Sequence, residues 1–159
     1  MKQIFELLEK DARLTPDKIS TLTGIPLKDV EKQIKKAEDE RIILKYKTVV
    51  NWAKLGEEKV WALVEVKVIP QRNVGFDSIA ERIYRFPQVW SVYLASGTYD
   101  LAILVVGDTM HDIAIFVSEK LAPLDEVQGT VTHFILKKYK EEGEILEGGE
   151  GTKRLPISL

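Results

Sequence analysis

Lys28, Lys32 and Lys35 recur at spacings of four and three residues. A helix advances about 100° per residue, so these spacings gather the three ammonium groups on one face, with Lys36 flanking it and Val30, Ile34 and Ala37 on the opposite stripe. Such a row of cations is suited to neutralising phosphates, the dominant contribution to duplex affinity. A solvated helix face would also carry lysines, and Asp29 and Glu31 dilute the charge here. The setting favours nucleic acid. The helix, about Pro26 to Glu40, follows a shorter one across the turn Thr23-Gly24-Ile25, the outline of a helix-turn-helix that lays its second helix in the major groove.

A second cluster is Ser96-Gly97-Thr98-Tyr99-Asp100, between two strand-like segments. Glycine and hydroxyl residues suit any hairpin turn. Asp100 is harder to explain that way, because a carboxylate heading an apolar strand needs partners, and an arriving ammonium group would be one. Gly97 permits close backbone approach to a ligand. Thr130 and Thr132 on the last strand add hydroxyls, although threonine is also an ordinary strand former. Catalytic patterns are lacking. His111 and His133, the only histidines, do not have metal-ligand spacing, and there is no phosphate-binding glycine loop or GxSxG.

The elements that position these groups fall into two blocks. Ile4, Leu7 and Leu8 give a first amphipathic helix ending near Lys10. Thr15 followed by Pro16 marks the start of a second, with Ile19 and Leu22 facing inward, and Pro26 repeats the start signal for the third. Ile42 to Val50 is rich in strand formers and reads as a wing strand or hairpin. Residues 51–59, polar and containing Gly56, read as a linker. Then come a strand (Val60 to Ile69), a helix (Gly75 to Arg85), two strands (Gln88 to Ala95, Tyr99 to Val106), a helix (Thr109 to Leu121) and a strand (Glu126 to Lys137). This βαββαβ order predicts a ferredoxin-like domain over 60–140. The helices present stripes at Phe76, Ile79, Ala80 and Ile83, and at Met110, Ile113, Ala114, Val117 and Leu121. Strands apolar on both sides, such as Leu101 to Val106, need cover on the face the helices leave open, and a second copy of the chain would supply it. Residues 141–159 read as an acidic, glycine-rich tail, in which Leu155, Ile157 and Leu159 alternate as an extended docking segment would.

Composition sets the outer limits. With 159 residues, 45% hydrophobic and 30% charged, the chain is globular. It has no cysteine, so thiolate metal sites and disulfides are excluded. Net charge is −2, but residues 1–52 carry 11 basic against 9 acidic side chains, leaving 12 against 16 in the remainder. The basic balance is N-terminal. No signal-type leader or membrane-length apolar run is present, so the expected location is the cytoplasm, with no membrane partner.

Asp11-Ala12-Arg13-Leu14-Thr15, Gly24-Ile25-Pro26, Ile34-Lys35-Lys36-Ala37-Glu38 with Ile42-Ile43, and Ser96-Gly97-Thr98-Tyr99-Asp100 together resemble the Lrp/AsnC (feast/famine) transcription regulators over nearly the whole chain. The resemblance implies an α+β protein: an N-terminal winged helix-turn-helix over 1–50, then a ferredoxin-like sensing domain. It implies double-stranded DNA as partner, contacted by Lys28, Lys32, Lys35 and Lys36 with Thr15 and Gln33. It also implies a small effector, typically an amino acid, at Ser96, Gly97, Thr98, Tyr99 and Asp100 with Thr130 and Thr132, and assembly to dimers and octamers. Neither enzymatic activity nor a cofactor or metal is expected. Two alternatives share the layout, a sirohaem-decarboxylase-like tetrapyrrole protein and a metabolite-binding assembly protein that ignores DNA. Gln33 replaces a usual arginine, Ala37 a leucine, and Arg41 a glycine after the third helix. If Arg41 must adopt the left-handed conformation, the cost is about 1 kcal/mol.

Overall fold

The computed structural model describes residues 2–69 and 75–146, and the chain divides into two compact units, Met1–Val50 and Asn51–Leu159. The first unit is trihelical: α1 (Lys2–Lys10), α2 (Pro16–Thr23) and α3 (Leu27–Asp39). Ile4, Leu8, Ile19 and Val30 form its buried centre, with Phe5, Leu7, Leu14, Ile25, Ile34 and Ile43 packed around them. Leu22 does not join it and is 63% exposed. Counted from Ile19, position 23 is closer to the inward direction than position 22, and Thr23 takes the inner place, its hydroxyl donating to the Ile19 carbonyl at 2.7 Å.

Gly24 ends α2 at φ 71°, donating its N–H to the Ser20 carbonyl, while the Ser20 hydroxyl reaches across the turn to the Ile25 carbonyl at 2.6 Å. Pro26 stands one residue earlier than its start signal implies. It caps α3 from outside the helix, at φ −53° and ψ 138°, and its carbonyl accepts from Asp29 and Val30. Arg41 does adopt the left-handed conformation, φ 57°. The Ile42 N–H bonds to the Ala37 carbonyl (2.8 Å) and the Arg41 N–H to that of Glu38 (3.1 Å), the bond pair of a Schellman ending.

The expected wing strand is not formed. Residues 44–50 take no helix or strand pairing, because a strand needs a second strand to satisfy its backbone, and the described part of this unit is otherwise helical. Ile42 and Leu44 are exposed, while Ile43 packs on the core and the Tyr46 hydroxyl donates to Glu38 at 2.8 Å.

In the second unit, Asn51 caps a short 3-10 turn, Trp52–Leu55, which Gly56 closes at φ 72°. Part of the stretch read as linker therefore has structure of its own. There follow β1 (Val60–Val68), α4 (Asp77–Tyr84), β2 (Val89–Leu94), β3 (Leu101–Gly107), α5 (Met110–Phe116) continued by a π-helical turn (Val117–Leu121), and β4 (Val127–Ile135). The strands form one antiparallel sheet in the order β2-β3-β1-β4. Ala62, Val64, Val66 and Val68 of β1 and Leu101, Ile103 and Val105 of β3 are buried with Ile79 and Ile83 of α4 and with Ile113, Phe116, Val117 and Leu121. The α5 stripe differs from expectation: Met110 is 51% exposed and Ala114 is exposed, while Phe116 is buried. Measured from Ile113, Ala114 lies about 100° away and Phe116 only about 60°. Thr109 and Asp112 form a reciprocal capping box at the start of α5, and the hydrogen bonds from Thr109 hold the Asp112 carboxyl below its ordinary range.

On the opposite sheet face stand Trp61, Leu63, Leu104, Val106, Val131 and Ile135, none of them fully buried. Residues 140–145 are not tail-like: β5 (Lys140–Glu141) and β6 (Glu144–Ile145) form a tight hairpin, tied back by the Asn51 amide donating to the Leu146 carbonyl at 2.9 Å. The alternating Leu155, Ile157 and Leu159 lie outside the described residues.

Candidate nucleic-acid interface and effector site

Burial of Val30 and Ala37 fixes the rotation of α3, so Lys28, Lys32 and Lys35 must project outward, and all three are exposed. None makes an ion pair among the described residues, whereas Lys36 reaches Glu40 at 3.7 Å. The Gln33 side chain is oriented differently from its expected role. It lies about 60° from Val30 around the helix, and its Oε1 is buried without a hydrogen-bond partner, so that oxygen is withdrawn from any groove contact. Thr15 is exposed at the start of α2 and its hydroxyl makes no capping bond, leaving it available to a phosphate together with the first N–H groups of the helix. Arg13 is engaged locally. Its side chain donates to Asp11, and this bond, foremost among the causes, holds the Asp11 carboxyl below its ordinary range.

The second candidate site sits where β2 turns into β3. The Ala95 N–H bonds to the Asp100 carbonyl at 2.8 Å, closing a loop in which Ser96, Gly97 and Thr98 are exposed and Tyr99 half-buried. Gly97 has φ 136°, a conformation that favours glycine. Asp100 already has partners within the chain. Its Oδ2 accepts from the Val68 N–H at 2.8 Å, its own N–H donates to the Val66 carbonyl at 3.0 Å, and the Lys67 ammonium lies 3.7 Å away. Because β1 extends past the start of β3, the side chain supplies a ladder rung that the backbone cannot. The carboxylate is thus fixed in place, with Oδ1 making no hydrogen bond among the described residues.

Thr130 and Thr132 are not gathered with this loop. They pair with Val66 and Val64 across β1, so β1 stands between them and β3. Lys67 was not among the sequence-derived candidates, yet the pairing of Val66 with Leu101 places it opposite Asp100 at the next position. That neighbour depends on register, which no local pattern reports. His111 is exposed, and His133 pairs with Glu65 at 3.3 Å on the open sheet face. Among the described residues, no group of three or more His, Asp or Glu side chains is placed to hold a metal.

Residues 61–145 match the family model for the Lrp/AsnC ligand binding domain. The chain is 48% identical over 157 residues to YugG of Bacillus subtilis, an uncharacterized HTH-type transcriptional regulator, covering 98% of this chain and 95% of that one. It is 31% identical to the HTH-type transcriptional regulator LrpA of Pyrococcus horikoshii, over 87% of this chain and 96% of the relative. Its fold is similar to that of the transcriptional regulator NMB0573 of Neisseria meningitidis, solved as an L-Met complex, with TM-score 0.69 and 21% identity over 87% of this chain and 89% of the other.

Proposed function

We propose, from the premise that this chain belongs to the Lrp/AsnC family of transcriptional regulators, that it binds double-stranded DNA through α3 and adjusts that binding in response to an amino acid. The family comprises regulators, not enzymes. The observation that carries the DNA reading is the outward-facing row Lys28, Lys32 and Lys35, without an ion pair among the described residues, on a helix whose inner stripe is buried. Thr15 and Lys36 add phosphate contacts at its margin. The effector reading rests on the fixed Asp100 carboxylate beside the exposed backbone of Ser96, Gly97 and Thr98, which suits the ammonium and carboxylate of a zwitterion. An L-Met complex of a protein of the same fold supports this ligand class. Thr130 and Thr132 share a sheet face with the buried Val66 and Val64 they pair with, opposite the face of Asp100 and Lys67, and are left out of the proposed site.

A second copy covering the open sheet face makes the dimer, which also presents two α3 helices to two half-sites; octamers extend the same self-association. No helix among the described residues is long and apolar enough to cross a membrane, and we place the protein in the cytoplasm. Binding to random duplex should weaken steeply with salt, and Lys32→Ala should lower the slope of log K against log salt by about one unit on every sequence. A salt-independent wild type would instead favour the assembly protein that ignores DNA.

A further inference from the structure

The acceptor and the cation of the Asp100–Lys67 pair are held very differently. Asp100 is four-fifths buried and pinned by the Val68 N–H. Lys67 is half exposed, and its ammonium stops 3.7 Å short of Oδ2, outside hydrogen-bonding range. Such a pair is worth little in stability, so the lysine can change partners at small cost. Among the described residues, room exists for it to move. Gly129 stands opposite Lys67 on β4, and a Cβ there would meet nothing within 4 Å. Glu65, two residues earlier on the same face of β1, lies against His133 at 3.3 Å.

We propose that Lys67 is a specificity-determining residue of the effector site: it neutralises Asp100 before an effector arrives, then meets the carboxylate of the bound amino acid while the ligand ammonium takes Asp100. This rests on the effector reading above. A zwitterion exchanges one ion pair for two, whereas an amine lacking the carboxylate would face Lys67 unneutralised. The site therefore accepts amino acids and discriminates against their uncharged-carboxyl analogues.

The test is a thermal-shift and calorimetric comparison of full-length wild type, Lys67→Gln and Lys67→Arg. The ligands are the standard amino acids, each set against its carboxamide, at about pH 6.5, where an α-amino group is protonated. Wild type should prefer the amino acid. Lys67→Gln should reduce that preference by roughly tenfold or more, the scale of one charge-assisted hydrogen bond, and Lys67→Arg should restore it. An unchanged preference in Lys67→Gln overturns the role of Lys67 and leaves the effector reading standing. If no amino acid shifts wild type at millimolar concentration, both fall.

Discussion

The charged groups of α3 and those at the β2–β3 hairpin are held in opposite ways. Lys28, Lys32 and Lys35 touch no counter-ion among the described residues, and their position is set only by the burial of Val30 and Ala37 on the far side of the helix. Asp100 is locked by hydrogen bonds from side chain and backbone to the end of β1. A contact with phosphate backbone tolerates mobile cations, because counterion release depends on charge more than on exact geometry. Recognition of a small zwitterion requires an acceptor already in position. On the proposed roles, the two regions would divide recognition between charge density and preorganised geometry.

The strongest way to break this contrast is Asp100→Ala. Removing the carboxylate leaves the Val68 N–H without its partner, and stability should fall by about 1 to 3 kcal/mol in a denaturant titration. The response of DNA binding to amino acids should vanish while effector-free DNA affinity persists. A variant that keeps its amino-acid response would show that the hairpin carboxylate is not part of the site. Asp100→Asn, which can still accept from Val68, should recover most of the stability and none of the response.

Arg41→Gly tests the end of α3, where the chain pays for a left-handed conformation that glycine adopts freely. The variant should be more stable by about 1 kcal/mol, seen as a raised denaturation midpoint. A loss of stability would mean that contacts of the arginine side chain outweigh the backbone strain.

Tyr46 gives the smallest effect. Desolvation of its partly covered ring foremost, then its hydrogen bond to Glu38, raises its hydroxyl from the ordinary 10 to about 12, but Tyr46 is 47% exposed, so solvent screening keeps the contribution to stability small. A group raised on folding contributes stability that is complete below the unfolded value and is lost as pH climbs through the folded one. Between about pH 10 and 12 the wild type should therefore lose stability more steeply than Tyr46→Phe. Parallel pH profiles for the two proteins would remove Tyr46 as an anchor of the segment after α3.

Local chemistry in the sequence was enough to place the helices to within a few residues, the βαββαβ order and the rotation of α3; the left-handed strain at Arg41 was suggested only by the family resemblance. The first three follow from side-chain periodicity or from the backbone preferences of glycine and proline, which act over a few neighbouring residues. Other features emerged only in three dimensions: Leu22 outside the core, Gln33 turned inward, residues 44–50 without a strand partner, residues 140–145 folded as a hairpin, and Lys67 beside Asp100. These depend on which distant segment lies alongside. A one-residue change of register between β1 and β3 would separate Lys67 from Asp100 and turn the side chains of the slipped strand to the other face, a choice made by packing across the whole sheet and written in no single stretch of the chain.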